Sequence, residues 1–156
     1  KMRKSSILIS ILCLLFQFSY SQPTNETVEA GAYYFNPNPI EIEVGSTVTW
    51  INVGGLHDVN GVTNTITGES FGNPEDFSLA AIYSQGADNP VEIGSYTFTI
   101  PGIYAYICSP HKTGKMLGFV IVGNDKSNLD DIKALKYRGM SKKFAKQLIE
   151  DIENNY

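Results

Sequence analysis

Short runs of alternating apolar and polar residues, separated by glycine and proline turns, recur between residues 40 and 122. In residues 40–44, isoleucine and valine alternate with glutamate, and after a Gly45-Ser46 turn the alternation continues through residues 48–52. A period of two places one side of each strand in the core and the other in water. Several short strands of this kind indicate an antiparallel β-sandwich or β-barrel.

Three further strands are predicted at the end of this region, at residues 93–100, 103–108 and 116–122. In the middle one, Tyr104, Tyr106 and Cys108 share a face, because side chains alternate along a strand. Residues 60–92 are rich in glycine, asparagine and proline, and we interpret them as a long Greek-key crossover containing a short strand or helical turn. Residues 22–28 are interpreted as a polar leader.

The periodicity becomes helical after Gly123. Ser127 is a candidate N-cap, Gly139 is predicted to end the first helix, and Ser141 to start the second. The apolar positions at helical spacing are Leu129, Ile132 and Leu135, then Phe144, Leu148, Ile149 and Ile152. Residues 124–156 are therefore predicted to form a two-helix hairpin. Two interpretations stay open for it: an amphipathic cap on the strands, or a docking or self-association element.

The N-terminus has the composition of a secretory signal peptide. Basic residues at positions 1–4 precede an apolar stretch over residues 7–18, and small residues follow at 19–21. The apolar stretch is about 12 residues long, whereas a membrane-spanning helix needs roughly 20. We therefore predict cleavage before Gln22, no stable membrane insertion afterwards, and an exported protein that is periplasmic or extracellular.

Charge is unevenly distributed. Residues 22–123 contain ten acidic residues and only two basic ones, Lys112 and Lys115, for a net charge of −8. Such a segment should repel nucleic acid, so we expect no nucleic-acid partner. Residues 124–156, with seven basic and six acidic residues, are nearly neutral.

The residues that indicate chemistry lie close together near the last strand. Cys108, His111 and Met116 have the spacing Cys-x2-His-x4-Met, and His57 is the only other histidine in the chain. Cys13 would leave with the signal peptide, so Cys108 would be an unpaired thiol in an exported protein. Two histidines and one cysteine with a weak axial methionine are typical of blue-copper sites. Zinc is another metal that one cysteine and two histidines bind.

With these motifs, the chain resembles small blue-copper proteins of the plastocyanin and pseudoazurin type, in the cupredoxin family. The ligand loop matches in residue type and spacing. The other matching motifs are Phe35-x-Pro37, Ile40-x-Ile42-x-x-Gly45, Val48-x-Trp50-x-Asn52 and Gly102-Ile-Tyr104-x-Tyr106. The resemblance covers roughly residues 30–123, and the signal peptide and helical hairpin lie outside it.

The resemblance implies a Greek-key β-sandwich as the fold of residues 22–123. The hairpin over 124–156 is predicted separately, from its helical periodicity. The resemblance also implies one type 1 copper ion, with His57, Cys108 and His111 as equatorial ligands and Met116 as the axial contact. The implied function is a soluble one-electron carrier, copper cycling between Cu(I) and Cu(II), with electron exit near His111. We expect one ligand from a distant strand to pin the two sheets together.

Other functions are considered beside this one. The alternative is an exported copper-scavenging or delivery protein on the same fold. A copper enzyme is not expected, because one site would use both histidines. The expected partners are redox proteins, and Lys112 and Lys115 are interpreted either as an attraction for an acidic docking surface or as solubilising residues. Asp58 occupies a position where the family usually has asparagine; it is expected to accept a hydrogen bond from Ser109 or to lower the reduction potential.

Overall fold

The computed structural model describes residues 22–156, so the predicted signal peptide and Cys13 lie outside the described residues. The described chain consists of short strands followed by two helices. In chain order these are β1 (Asn25–Gly31), β2 (Tyr34–Asn36), β3 (Ile40–Ile42), β4 (Thr47–Asn52), β5 (Gly55–Asn60), β6 (Thr63–Asn64), β7 (Glu69–Ser70), β8 (Ser78–Ser84), β9 (Val91–Thr97), β10 (Gly102–Ile107), β11 (Leu117–Val122), α1 (Leu129–Ala134) and α2 (Gly139–Asn155). A 3-10 turn, Ser109–His111, follows β10.

The strands form a β-sandwich, as predicted. One sheet has the order β2-β1-β4-β9 and the other the order β3-β11-β10-β5-β8, with β6 and β7 forming a small separate ribbon within the predicted crossover. Most neighbours are antiparallel, but β1 runs parallel to β4, and β3 runs parallel to β11. The predicted antiparallel sandwich therefore also contains two parallel strand pairs.

The core between the sheets follows the predicted alternation. Val48 and Trp50 of β4 are fully buried in it, and Tyr104, Tyr106 and Cys108 enter it from the same face of the chain. Because Cys108 belongs to this inward-facing set, its sulfur lies at one end of the core and not on the surface.

Strand β1 was missed by the sequence analysis. Part of it lies in residues 22–28, which were interpreted as a polar leader, yet β1 occupies an interior position between β2 and β4. Val28 and Ala30 are buried, and Val28 lies opposite Trp50 in the parallel register. Only two apolar side chains alternate here with polar ones, so the local pattern is weak. The strand is stabilised by β4, which comes later in the chain.

Strands β10 and β11 are buried on both faces. Their outward side chains, Ile103, Ala105, Ile107, Leu117, Phe119 and Ile121, form a second core with Ile132 of α1 and with Ala145, Leu148 and Ile152 of α2. The helices therefore pack as an amphipathic cap on the second sheet. The division of the chain at residue 123 stays a prediction, since strands and helices share this second core.

The helix boundaries differ from the predicted ones. Helix α1 ends at Ala134, and Gly139 is the first residue of α2 and not the end of α1. Ser141, predicted to start the second helix, lies within its first turn with a buried side chain. Neither helix of residues 22–156 combines the length and apolar character needed to span a bilayer.

Along one edge of β10, asparagine side chains provide hydrogen-bond partners for backbone groups. Strand β5 pairs with β10 only where Ile107 meets Asn60. The Asn73 amide accepts from the N–H of Ala105 at 2.7 Å and donates to its carbonyl at 2.8 Å. Asn128 makes the same pair of bonds with Ile103. These amides replace a neighbouring strand, because buried backbone groups need partners.

Candidate metal centre

His57 is positioned by a glycine turn that follows β4. The Asn52 side chain donates to the Gly55 carbonyl at 2.9 Å and accepts from the N–H of Gly54 at 2.9 Å. Gly55 has a φ of 95°, a conformation that favours glycine, and a Cβ there would lie 3.4 Å from His57 Nε2. The turn therefore brings the backbone against the imidazole.

The tautomer of His57 follows from its backbone contact. Nε2 lies 2.7 Å from the Gly54 carbonyl, which can only accept a hydrogen bond, so Nε2 carries the proton. Nδ1 is then left as an acceptor, 3.6 Å from the Cys108 sulfur. Burial lowers the pKa of His57, although the bond to Gly54 opposes this shift. The ring is thus neutral, with a lone pair directed at the thiol, as a metal ligand requires.

Cys108 lies at the end of β10 with its side chain fully buried. Its sulfur is 3.4 Å from Nδ1 of His111. Burial raises the pKa of the Cys108 thiol to about 12. Backbone hydrogen bonds from Asp58 and His111 oppose the shift, whereas the charge of Asp58 adds to it. Without a cation the sulfur therefore keeps its proton, and a metal ion would take the place of that proton.

The loop after Cys108 is held by backbone hydrogen bonds. The N–H of Cys108 donates to the Met116 carbonyl at 2.9 Å, and the N–H of His111 donates to the Cys108 carbonyl at 3.1 Å. These bonds place His111 beside the thiol. They also place Met116, which is fully buried, next to Cys108 where β11 begins.

The structure brings three of the predicted residues into one cluster. One ligand atom each from His57, Cys108 and His111 lies within 4.8 Å of the other two, and His111 is the partly exposed member. Two imidazole nitrogens and a sulfur around one point fit a copper ion that alternates between Cu(I) and Cu(II). Met116 is the neighbour of Cys108 immediately before the adjoining strand, and its role as a ligand stays a prediction.

The expectation that a metal would join the two sheets was wrong. His57 lies on β5 and Cys108 follows β10, and these strands are neighbours in the same sheet. Met116 immediately precedes β11, the strand on the other side of β10. The cluster therefore lies at one end of the second sheet, because three adjacent strands of that sheet end there.

Tyr33 is a neighbour of the cluster that the sequence analysis missed. Its ring meets the His111 ring edge-on, with centroids 5.0 Å apart and planes at 81°, and 58% of its surface is exposed. Its φ is 65°, which is unfavourable for a bulky residue. The turn between β1 and β2 imposes this conformation, and no local sequence pattern identifies it.

Comparison with known proteins supports these observations. Residues 23–123 match the family model of copper binding proteins, plastocyanin/azurin family. A putative pseudoazurin from Rhizobium leguminosarum bv. viciae is 32% identical over 113 residues, which cover 72% of this chain and 66% of that protein, just under two thirds. A plastocyanin from Scenedesmus fuscus is 31% identical over 99 residues, covering 60% of this chain and 91% of that protein.

The solved structure of a pseudoazurin from Sinorhizobium meliloti superposes with a TM-score of 0.62 at 29% identity, covering 85% of this chain and 99% of that one. Residues 1–123 make up less than four fifths of the chain, so an alignment that covers 85% of it must extend past residue 123 into the helical segment. The family model ends at residue 123, in line with the extent of the resemblance, whereas the structural likeness continues into the helical segment. The chain belongs to the plastocyanin/azurin family of copper-binding proteins, and its cofactor is one type 1 copper ion.

Proposed function

We propose that the protein is a one-electron carrier in which His57, Cys108 and His111 bind the copper and Met116 is its axial contact. The observation that supports this most directly is the convergence of the two imidazoles on the buried thiol. Copper in such a site supplies one-electron chemistry by cycling between Cu(I) and Cu(II). The chain supplies the donor set, its geometry and its separation from water.

The donors are held before any ion binds. His57 is fixed by the Gly54 carbonyl, and Cys108 is fixed by the hydrogen bond from its N–H to Met116. Ligands that cannot relax toward the geometry preferred by either oxidation state keep the rearrangement on electron transfer small. Such a site favours fast electron transfer rather than strong preference for one oxidation state of copper.

Electrons leave and enter at His111 in this proposal. His57, Cys108 and Met116 are buried, whereas the His111 ring is partly exposed and lies under Tyr33. Lys112 follows His111 directly, and Lys115 lies in the same loop. A redox partner protein with an acidic docking surface would be attracted to this loop, since the rest of residues 22–123 is acidic.

Catalysis is not part of the proposed function. The chain has two histidines, and both belong to the one cluster. No histidine is left to build a second copper centre of the kind that copper enzymes require. We further propose that the protein works outside the cytoplasm, on the evidence of its N-terminal sequence.

The test is to titrate the copper-free protein with Cu(II) and record the visible spectrum, the electron paramagnetic resonance spectrum and the reduction potential. The expected result is an intense blue sulfur-to-copper band at one equivalent. Cys108→Ser should abolish the band. Met116→Leu should keep the blue colour and raise the potential, because the axial thioether is lost.

Two outcomes would overturn the proposal. One is a blue band that survives Cys108→Ser, which would place the copper elsewhere. The other is a blue protein whose copper cannot be reduced and reoxidised reversibly, which would favour copper delivery. Ser46→Ala is a suitable control, because Ser46 is as buried as Cys108 but lies at the opposite end of β4 from the turn that positions His57. Ser46 is in the turn before β4, whereas the turn that positions His57 follows β4.

A further inference from the structure

Ser141 is a buried serine on α2 that contacts the loop between His111 and Met116. Only 1% of its surface is exposed. Its hydroxyl donates toward the Lys112 carbonyl at 3.1 Å and also hydrogen-bonds to the Gly114 carbonyl. A hydroxyl has one proton, so the two carbonyls share it.

The loop that Ser141 contacts is held from its other side as well. The N–H of Gly114 donates to the His111 carbonyl at 2.9 Å, so this glycine is linked directly to a proposed ligand. A Cβ on Gly114 would come within 2.9 Å of the Tyr33 ring. The segment between His111 and Met116 therefore lies between the Tyr33 ring and the Ser141 hydroxyl.

Helix α2, which carries this hydroxyl, is anchored by its buried face. Ser141, Ala145, Leu148 and Ile152 follow each other at helical spacing, and all four are buried. The last three pack in the second core, against the outward face of the second sheet. A polar residue at the first position of a buried stripe costs stability unless its hydroxyl is paired. Here the pairing is with the metal loop.

We propose that Ser141 is a positioning residue of the metal centre. Through the carbonyls of Lys112 and Gly114, α2 fixes the loop on which His111 and Met116 approach the copper. The inference rests on the proposed function, and it gives the helices a role in setting the geometry of the site in addition to covering the sheet.

The test compares Ser141→Ala with Ser46→Ala. Ser46 is also fully buried, and its hydroxyl accepts a hydrogen bond from the Thr24 N–H at 2.9 Å, so both variants lose one buried hydroxyl. Ser141→Ala should weaken copper affinity by about tenfold, at the low end of the effect of groups that orient metal ligands. It should also change the ratio of the two sulfur-to-copper bands and the reduction potential. Ser46→Ala should leave all three unchanged, and Ser141→Thr, which keeps the hydroxyl, should restore them.

Amide hydrogen exchange of the copper-free protein gives a readout that does not depend on the metal. The Gly114 amide should exchange faster in Ser141→Ala than in the wild type or in Ser46→Ala. The inference is overturned if Ser141→Ala matches Ser46→Ala in spectrum, affinity and exchange. A wild-type protein that never turns blue would instead overturn the proposed function, while the exchange comparison would still test the contact.

Discussion

The backbone N–H of Ser109 donates a 2.6 Å hydrogen bond to the carboxylate of Asp58. Asp58 directly follows His57, and Ser109 directly follows Cys108, so this bond joins the residues next to two proposed ligands. Asn60 reinforces the link by donating to the Ser109 hydroxyl at 3.3 Å. The hydrogen bond expected between Asp58 and Ser109 is confirmed, and the effect of the carboxylate charge on the copper stays a hypothesis.

Asp58→Asn should raise the reduction potential. The amide oxygen can still accept from Ser109, but the negative charge that stabilises Cu(II) is removed. We expect a change of about 1 kcal/mol, on the order of 40 mV for one electron. Protein-film voltammetry would measure it. An unchanged potential would show that Asp58 acts only as a hydrogen-bond acceptor.

Comparison of Asp58→Ala with Asp58→Asn separates the effect of the hydrogen bond from that of the charge. The alanine variant loses both, so we expect a shift of the same sign together with a loss of about 1–3 kcal/mol in unfolding free energy, because the Ser109 N–H is left without its partner. Denaturant unfolding of the copper-free protein would detect this loss. Equal stability of the alanine and asparagine variants would contradict it.

Copper binding should become tighter as pH rises. Burial raises the pKa of the Cys108 thiol to about 12, so at neutral pH the copper-free protein holds a proton that the metal must displace. Burial lowers the pKa of His57, so this ring needs no deprotonation at neutral pH. The apparent affinity should rise by about tenfold per pH unit through the neutral range. Competition with a chelator of known affinity would measure the slope, and a flat profile would refute it.

Replacing Lys112 and Lys115 together by serine should slow electron exchange with anionic reagents. With hexacyanoferrate(III) as the oxidant, we expect a decrease of roughly an order of magnitude at low ionic strength, and a flatter salt dependence. Lys126 and Lys133 offer the control, since their replacement removes the same charge from the turn after β11 and from α1. Equal effects of the two double variants would show that only net charge matters.

Tyr33→Gly should expose His111 with little effect on stability. The substitution loses an edge-on ring contact worth about 0.5–1.5 kcal/mol, but relieves about 1–2 kcal/mol of left-handed backbone strain. The unfolding free energy should therefore change by less than about 1 kcal/mol, while oxidation by small reagents becomes faster. Tyr33→Phe keeps the ring and should behave like the wild type in both stopped-flow and unfolding measurements.

Asn73→Ala should destabilise the fold by about 2–4 kcal/mol. The N–H and the carbonyl of Ala105 would both lose their partner inside the protein. Asn154→Ala is the control, because Asn154 makes an exposed bond to the Glu150 carbonyl on α2. Denaturant midpoints would separate the two, and similar values would mean that water replaces the Asn73 amide.

The sequence predicts those parts of the fold whose cause is local. The alternation of Val48 and Trp50 places their side chains in the core, and that of Tyr104, Tyr106 and Cys108 does the same for the strand before the metal loop. The clustering of His57 with Cys108 and His111 was inferred from the resemblance and from the fact that His57 is the only other histidine. The structure brings the three residues together.

The remaining features depend on partners far away in the chain. Strand β1 forms because it pairs with β4. Asn73 has its role because it hydrogen-bonds to the open edge of β10. Tyr33 contacts His111 because of the turn on which it lies.

The prediction for Gly139 was wrong about which helix it bounds. Gly139 has a φ of 59°, a left-handed conformation that favours glycine, but it starts α2, because α1 has already ended at Ala134.

Burial of the Cys108 sulfur also affects the chemical stability of the copper-free protein. A thiol is attacked by oxidants, or by another thiol, mainly as the exposed thiolate. Cys108 is shielded from solvent and keeps its proton at neutral pH. In the exported setting proposed above, burial therefore protects the copper-free thiol from oxidation and from disulfide-linked dimerisation until the metal binds.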